Sequence, residues 1–123
     1  MFEKNSIIGR IAKGEFPDHV VKTGYGEFKV KFPSGKDFGV IARRKASIFG
    51  GLPIDSFDSN FIRVAHRDAT LSVVITSYPE KVPEEWRKEN IDDFPDEEVK
   101  NSILKEFNTF FSGTQAGISK ESK

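Results

Sequence analysis

The sequence predicts an α+β fold, mostly helical, in which an N-terminal β-hairpin is followed by three main α-helices. Two patterns carry this prediction. Over residues 27–32 charged and apolar side chains alternate, which is the two-residue period of a half-buried strand. Beyond residue 34 the apolar residues recur every three or four positions, as on the buried stripe of an amphipathic helix. The 123 residues suffice for one ordinary domain with a single core.

The β-hairpin is predicted over residues 19–24 and 27–32. Val20 and Val21 begin the first strand, and two closely spaced glycines mark the turn before the alternating segment. A two-stranded hairpin is only marginally stable by itself, so it must pack on helices or join a sheet formed with other subunits. In the second case its open edge would be a docking site for another strand.

The first main helix has a clear start and a clear stop. Ser34 or Asp37 can cap its N-terminus, and the helix is predicted to continue to about Phe49. Gly50-Gly51 then provides the left-handed conformation that ends many helices, and a proline shortly afterwards prevents continuation.

The second main helix is predicted from about Asp58 to Thr76, since several N-cap residues precede a long apolar stripe. The β-branched run at residues 73–76 also fits a strand. We assign it to the helix because the 3.6-residue period is unbroken through Ala69. The predicted buried face consists of Phe61, Ile62, Ala65, Ala69, Val73 and Ile75.

A polar connection over residues 77–96 precedes the last helix. Its three prolines make it a defined loop, and Trp86, Ile91 and Phe94 are predicted to pin it to the body of the domain. The last helix begins near residues 95–98, where acidic side chains suit the positive end of the helix dipole. Its apolar stripe is Val99, Ile103, Leu104, Phe107, Phe110 and Phe111.

The single α+β domain is predicted to span residues 18–112, between two weaker segments. Residues 1–17 mix isolated apolar residues with charges and two glycines, so we interpret them as an arm or a short helix that becomes ordered against a partner. At the other end Gly113 is predicted to close the last helix. Residues 113–123 have little apolar content and are predicted to be a disordered tail.

Composition excludes several classes of protein. Cysteine is absent, which rules out disulfides and thiolate metal sites. No stretch approaches the roughly 18 uninterrupted apolar residues of a membrane span. The only apolar pair near the N-terminus, Ile7-Ile8, is too short for the core of a signal peptide. We therefore expect an intracellular protein with no membrane partner.

Charge is unevenly distributed along a chain whose net charge is zero. Residues 1–50 hold ten Lys/Arg and five Asp/Glu, whereas residues 51–123 hold nine Lys/Arg and fourteen Asp/Glu. The two halves would attract each other within the fold or between subunits, or the basic half would steer a nucleic acid or an acidic protein. We favour the first interpretation, because nucleic-acid binders usually carry an overall basic excess.

No motif for catalysis or cofactor binding is recognisable. Gly35-Lys36 is followed by Asp37 instead of the Ser or Thr of a phosphate-binding loop, and no serine lies in a nucleophile elbow. His66 and Asp68 are two residues apart on a predicted helix, so they face different directions and do not form a zinc site. We therefore predict that the protein is not an enzyme and has no catalytic residues, no cofactor and no metal.

Six residues are candidate contacts for a partner: Arg43, Arg44, Lys45, Trp86, Phe28 and Phe32. The three basic residues form the densest cluster, which fits a contact to phosphates or to an acidic peptide, or else a solvated helix end. The tryptophan fits an exposed anchor, or else a side chain that pins the connection. The phenylalanines are included because twelve are many for this chain, and any left exposed would suit an assembly interface.

The order of motifs in residues 28–86 resembles that of a known family. A short β unit leads into a basic helix containing Ile41-Ala42-Arg43-Arg44, and Gly50-Gly51-Leu52-Pro53 follows. A second helix then carries Ala69-Thr70-Leu71, and a proline-rich loop ends at Trp86. This layout is similar to that of small tail-assembly proteins of long-tailed bacteriophages, the chaperone-like group commonly encoded near the tape-measure protein.

The resemblance implies a non-enzymatic phage tail assembly protein that binds tape-measure, tail-tube or other tail proteins, as an oligomer or an assembly subunit. It would act in the host cytoplasm during assembly, or stay in the virion. The alternatives are a minor structural protein of the baseplate or neck, and a small nucleic-acid-binding regulator that uses the basic cluster and basic hairpin residues. An enzyme of unrecognised type is a further alternative, and it would need a pocket with clustered titratable groups.

Overall fold

The computed structural model describes residues 7–121; the first part of the predicted arm, 1–6, and the end of the predicted tail, 122–123, lie outside the described residues. The elements in chain order are α1 (Ile7–Ala12), β1 (Asp18–Thr23), β2 (Gly26–Lys31), α2 (Gly35–Phe49), α3 (Ser59–Val74), β3 (Ile75–Ser77) and α4 (Glu97–Glu121). Short 3₁₀ turns occupy Ile54–Ser56, Glu84–Trp86 and Lys88–Asp93. The predicted fold class is confirmed, since the chain is mostly helical with a small antiparallel sheet near its N-terminus.

The hairpin forms within one residue of the predicted strand ends. β1 and β2 pair antiparallel, with Val21 opposite Phe28. These two side chains and Val30 are fully buried on one face of the sheet. Lys22 and Lys29, which point to the other face, are exposed. The alternation in the sequence therefore separates a buried face from a solvated one.

A third strand lies where the sequence predicted the end of a helix. α3 ends at Val74, and β3 pairs antiparallel with β2, so that Ile75 lies opposite Val30. The assignment of residues 75–76 to the helix was therefore wrong. The reason is tertiary: β2 presents a strand edge at this point, and the β-branched Ile75 and Thr76 suit an extended, pleated backbone.

Gly26 lies at the turn of the hairpin, where its φ is +126° and an added Cβ would come within 2.7 Å of Pro79 Cβ. Replacing Gly26 with Ala is expected to lower the free energy of unfolding by roughly 1–3 kcal/mol, because backbone strain and a clash with a rigid ring both oppose the change. The matched control is Gly24→Ala, since no described atom lies within 4 Å of that Cβ position. Urea unfolding measures both variants, and equal losses would contradict the role of Gly26.

α2 begins and ends where the sequence predicted. The Asp37 N–H donates to Ser34 Oγ at 3.2 Å and the Ser34 N–H donates to Asp37 Oδ2 at 2.9 Å, so the two predicted caps act together as a capping box. Lys31 Nζ also donates to Asp37 Oδ1 at 3.1 Å. Burial by itself raises the pKa of Asp37, but the hydrogen bonds from Ser34 and Lys31 outweigh it and hold the pKa below its ordinary value. Gly50, at φ 61°, ends the helix.

α4 continues through Gly113 to Glu121. The predicted helix end at Gly113 and the disorder predicted for residues 114–121 are therefore wrong. A glycine ends a helix where it adopts the left-handed conformation, and Gly113 is not among the described glycines with a positive φ. Glycine still costs about 1 kcal/mol in a helix interior, so the end of α4 depends on other contacts.

Those contacts come from α1. The backbone N–H groups of Ile7 and Ile8 each donate to the Glu121 carboxylate at 2.9 Å. Gly117 lets α1 approach closely, because a Cβ at that position would collide with the Ile7 side chain. The short helix expected within residues 1–17 is thus ordered on α4 of the same chain, although the sequence analysis placed it against a partner.

The core lies between the inner face of the sheet, α3, α4 and the connection after β3. Ile91 and Phe94 are fully buried in it, which confirms that they pin the connection. The other members of the central cluster are Val21, Phe28, Val30, Leu71, Val74, Ile75, Val82, Ile103 and Phe107. Across residues 7–121 no helix combines the length and apolar character needed to cross a membrane.

Candidate functional site

Two of the predicted contact residues belong to the core. Phe28 is fully buried and packs edge-on against Tyr78, with 5.7 Å between ring centroids. Phe32 is 7% exposed and stacks on Phe111 at 5.1 Å. Assigning both phenylalanines to a partner surface was therefore wrong. They lie on the buried side of the sheet, where α4 and the connection cover them.

Trp86 also acts within the chain. It is half-buried, and its ring stacks on Phe94 with centroids 5.4 Å apart and planes 21° from parallel. Of the two interpretations left open by the sequence, the pinning of the connection is the one that the geometry matches.

The basic cluster is divided between two surfaces, since Arg43 and Arg44 line one depression beside α2 and Lys45 lies toward α3. Arg44 Nη2 donates to the backbone oxygen of Glu89 at 3.0 Å, so this side chain holds the connection against α2. Lys45 Nζ lies 3.3 Å from His66 Nδ1, toward α3. Arg43 is exposed. Lys45 therefore does not contribute to the surface that Arg43 and Arg44 share.

Exposed apolar side chains instead gather at the corner between α2 and α3. This apolar corner consists of the exposed Ile48, Leu52, Ile54 and Phe61 and the half-buried Phe49 and Phe57. Leu52 is 61% exposed and Ile54 55%. The Phe57 and Phe61 rings stack at 4.8 Å, and Phe49 lies 5.2 Å from Phe57. Large apolar residues scattered singly over a surface need no explanation, whereas a contiguous group indicates a contact site.

Local signals in the sequence hold the corner in place. Gly50 and Gly51 both have a positive φ, which turns the chain sharply after α2. Asp58 caps α3 by accepting the Phe61 N–H at 2.8 Å. Leu52 and Ile54 lie in the chain between these two points, and both are exposed.

Two shallow depressions adjoin the corner. One of about 370 Å³ is lined by Val40, Arg43, Arg44, Ser47, Ile48 and Asp92. The other, of about 220 Å³, is lined by Ile48, Phe61, Val64, Ala65, Asp68 and Asp92. Ile48 and Asp92 border both, so the depressions and the corner form one continuous surface. The rim of this surface carries charges of both signs, because Arg43 and Arg44 line the same depression as Asp92.

Comparison of the chain with protein-family models, curated proteins and solved structures finds no match. The apolar corner was not among the contact residues predicted from the sequence, although the sequence contains a signal for it. Leu52, Ile54 and Phe57 lie between a helix stop and a helix cap, where a loop is expected to be polar.

A buried ionic network is the other feature that the sequence analysis missed. Arg67 is fully buried, and its guanidinium donates to Asp68 Oδ1 at 2.9 Å, Asn101 Oδ1 at 3.0 Å and Glu97 Oε1 at 3.0 Å. Lys100, 1% exposed, reaches Glu97 Oε2 at 2.9 Å and Asp68 Oδ1 at 3.6 Å. The signal was an Arg-Asp pair in the middle of the apolar stripe of α3.

This network has a structural role, because each of its charged groups has a partner of opposite sign. Burial by itself lowers the pKa of Arg67, but the hydrogen bonds to Asp68 and Glu97 outweigh it and raise the pKa above the ordinary value. The hydrogen bond from Lys100, more than that from Arg67, holds the pKa of Glu97 below its ordinary value. Arg67 and Glu97 are thus stabilised in their charged forms. The network ties α3 to α4.

The two histidines lie in different places. His19 stacks on Phe110 at 5.5 Å, and its Nε2 is 3.4 Å from Glu106 Oε1. His66 is on α3 beside Lys45. In the part of the chain that the structure describes, no group of three or more His, Cys, Asp or Glu side chains could hold a metal ion.

Proposed function

We propose that this protein is a non-enzymatic binding protein that docks a partner protein on the apolar corner. The observation that supports the proposal is that Leu52, Ile54 and Phe61 are all exposed in one short stretch of chain. Phe61 in addition belongs to a cluster of three phenylalanine rings. Covering apolar surface contributes roughly 25 cal/mol per Å², and an aromatic cluster at the centre of a contact is where binding energy concentrates.

The surface favours a partner of particular chemistry. Its centre is apolar, and its rim carries Asp92 together with Arg43 and Arg44. An amphipathic helix whose apolar stripe is flanked by acidic and basic residues would match both features. Its stripe would cover the corner, while its charged flanks would approach rim charges of opposite sign.

For the biological setting we propose bacteriophage tail assembly. Support comes from residues 28–86, whose order of motifs resembles small tail-assembly proteins. The segment Gly50-Gly51-Leu52-Pro53, one of the motifs of that resemblance, contributes Leu52 to the apolar corner. The partner would then be a tape-measure or tail-tube subunit met in the host cytoplasm. A minor structural protein kept in the virion is the alternative setting for the same surface.

Co-expression with the tape-measure and tail-tube proteins of the same genome tests this proposal. Leu52→Glu is expected to weaken the purified complex by about ten-fold or more, because it places a charge at the most exposed point of the corner. Val20→Glu is the matched control, since Val20 is exposed on the outer face of the hairpin. Calorimetric titration of the two variants measures the difference.

The possible outcomes test the location of the docking surface and the identity of the partner separately. If Leu52→Glu binds as tightly as the unmodified chain, the apolar corner is not the docking surface. If neither tail protein forms a complex, the tail-assembly setting is wrong. If the chain instead self-associates and Leu52→Glu makes it monomeric, the corner binds a second copy of this protein.

A further inference from the structure

A pocket of about 240 Å³ lies between α2, α3 and α4 and shares no residue with the apolar corner. Ile41, Phe107 and Phe111 form its apolar wall. Ile41 and Phe107 are almost fully buried, and the Phe107 and Phe111 rings lie 5.9 Å apart. The wall therefore has a fixed shape, and it is suited to a flat or short apolar group.

The polar end of the pocket consists of Lys45, His66, Thr70 and Asn108. Lys45 Nζ and His66 Nδ1 are 3.3 Å apart, and an ammonium only donates, so Nδ1 accepts and the ring proton is on Nε2. Burial, followed by the nearby charge of Lys45, lowers the pKa of His66 and favours this neutral form. The Thr70 hydroxyl, also at the pocket, donates to the His66 backbone oxygen at 2.8 Å.

The positive charge at this end is uncompensated. No carboxylate is among the residues that line the pocket, and within residues 7–121 no ion pair engages Lys45. A cation next to an apolar wall gains most from an anion that brings its own apolar body, because both surfaces are then covered at once.

We propose that this pocket binds a small monocarboxylate with an apolar body, of the arylalkanoate type. The carboxylate accepts hydrogen bonds from Lys45 Nζ, and the body lies against Ile41, Phe107 and Phe111. The volume supports this size of ligand: a cavity of about 150 Å³ holds benzene, so 240 Å³ accommodates an aromatic ring with a short side arm.

Titration of the full chain with hydrocinnamate and with its neutral amide, hydrocinnamamide, tests the inference. We expect hydrocinnamate to bind about ten-fold more tightly, because only the acid has a charge to pair with Lys45. Lys45→Met should reduce the affinity for hydrocinnamate to that for the amide and leave the amide unaffected. Lys36→Met, which removes an exposed lysine of α2 outside the pocket, should change neither affinity.

A second pair of variants tests whether the probes bind in this pocket. Ala42 lines the pocket and Ala46, one turn later, does not, and both side chains are exposed. Ala42→Phe should fill the pocket and abolish binding of both probes, whereas Ala46→Phe should leave binding intact. Three results would each overturn the inference. They are equal affinity for acid and amide, no binding of either probe, and undiminished binding to a folded Ala42→Phe variant. Because the docking surface is elsewhere, none of these results bears on the proposed function.

Discussion

Replacing Arg67 with Met is expected to lower the free energy of unfolding by roughly 3–5 kcal/mol. The side chain of Arg67 is fully buried and that of Asp68 is 6% exposed. Without the guanidinium, Asp68 would keep only the Lys100 ammonium, 3.6 Å away. A buried carboxylate that loses its closest cation cannot recover hydration from solvent, and this is the main cause of the loss. Urea unfolding with linear extrapolation measures the change.

Arg63→Met is the matched control, since Arg63 is one turn earlier on α3 and hydrogen-bonds Asn60 and Asn101 at the surface. Its effect should stay within about 0.5 kcal/mol. A triple variant that combines Arg67→Met, Asp68→Leu and Lys100→Met removes both buried cations and the buried carboxylate together. It should be more stable than Arg67→Met alone, because no unpaired buried charge remains. A triple variant as unstable as the single one would mean that packing, and not charge, explains the loss.

Replacing Phe28 with Ala is expected to lower the free energy of unfolding by about 3–5 kcal/mol, the second large effect. The side chain is fully buried between the sheet and the connection, in contact with Tyr78. Its removal would lose the burial of an aromatic ring and leave a cavity that the neighbouring strands cannot collapse to fill. Thermal and urea unfolding measure the loss.

Phe61→Ala is the comparison for Phe28→Ala, because it deletes the same side chain at a site that is 39% exposed. It should cost at most about 1 kcal/mol of stability and should weaken partner binding at the apolar corner. Phe28→Ala should have the opposite profile, with a large loss of stability and unchanged binding by the fraction that remains folded. A stable Phe28→Ala variant would restore Phe28 as a candidate contact residue.

Parts of the fold were predictable because their causes are local. Ser34 and Asp37 form a capping box within four residues, and Gly50 ends the same helix by its own backbone conformation. The hairpin follows from alternation over six residues. The contact site was harder to predict from the sequence than the fold. Of the six predicted contact residues, Phe28 and Phe32 are buried in the core and Trp86 pins the connection.

The sequence by itself determined the hairpin, the starts and stops of α2 and the capped start of α3, because each depends on residues a few positions apart. Tertiary structure alone decided the rest. β3 forms because Ile75 meets the edge of β2, and α4 reaches Glu121 because that carboxylate accepts hydrogen bonds from α1, more than a hundred residues away in the chain. The ionic network and the pocket at Lys45 likewise need two or three helices to meet. Contacts between distant segments are absent from any local pattern, and they exist only once the chain has packed.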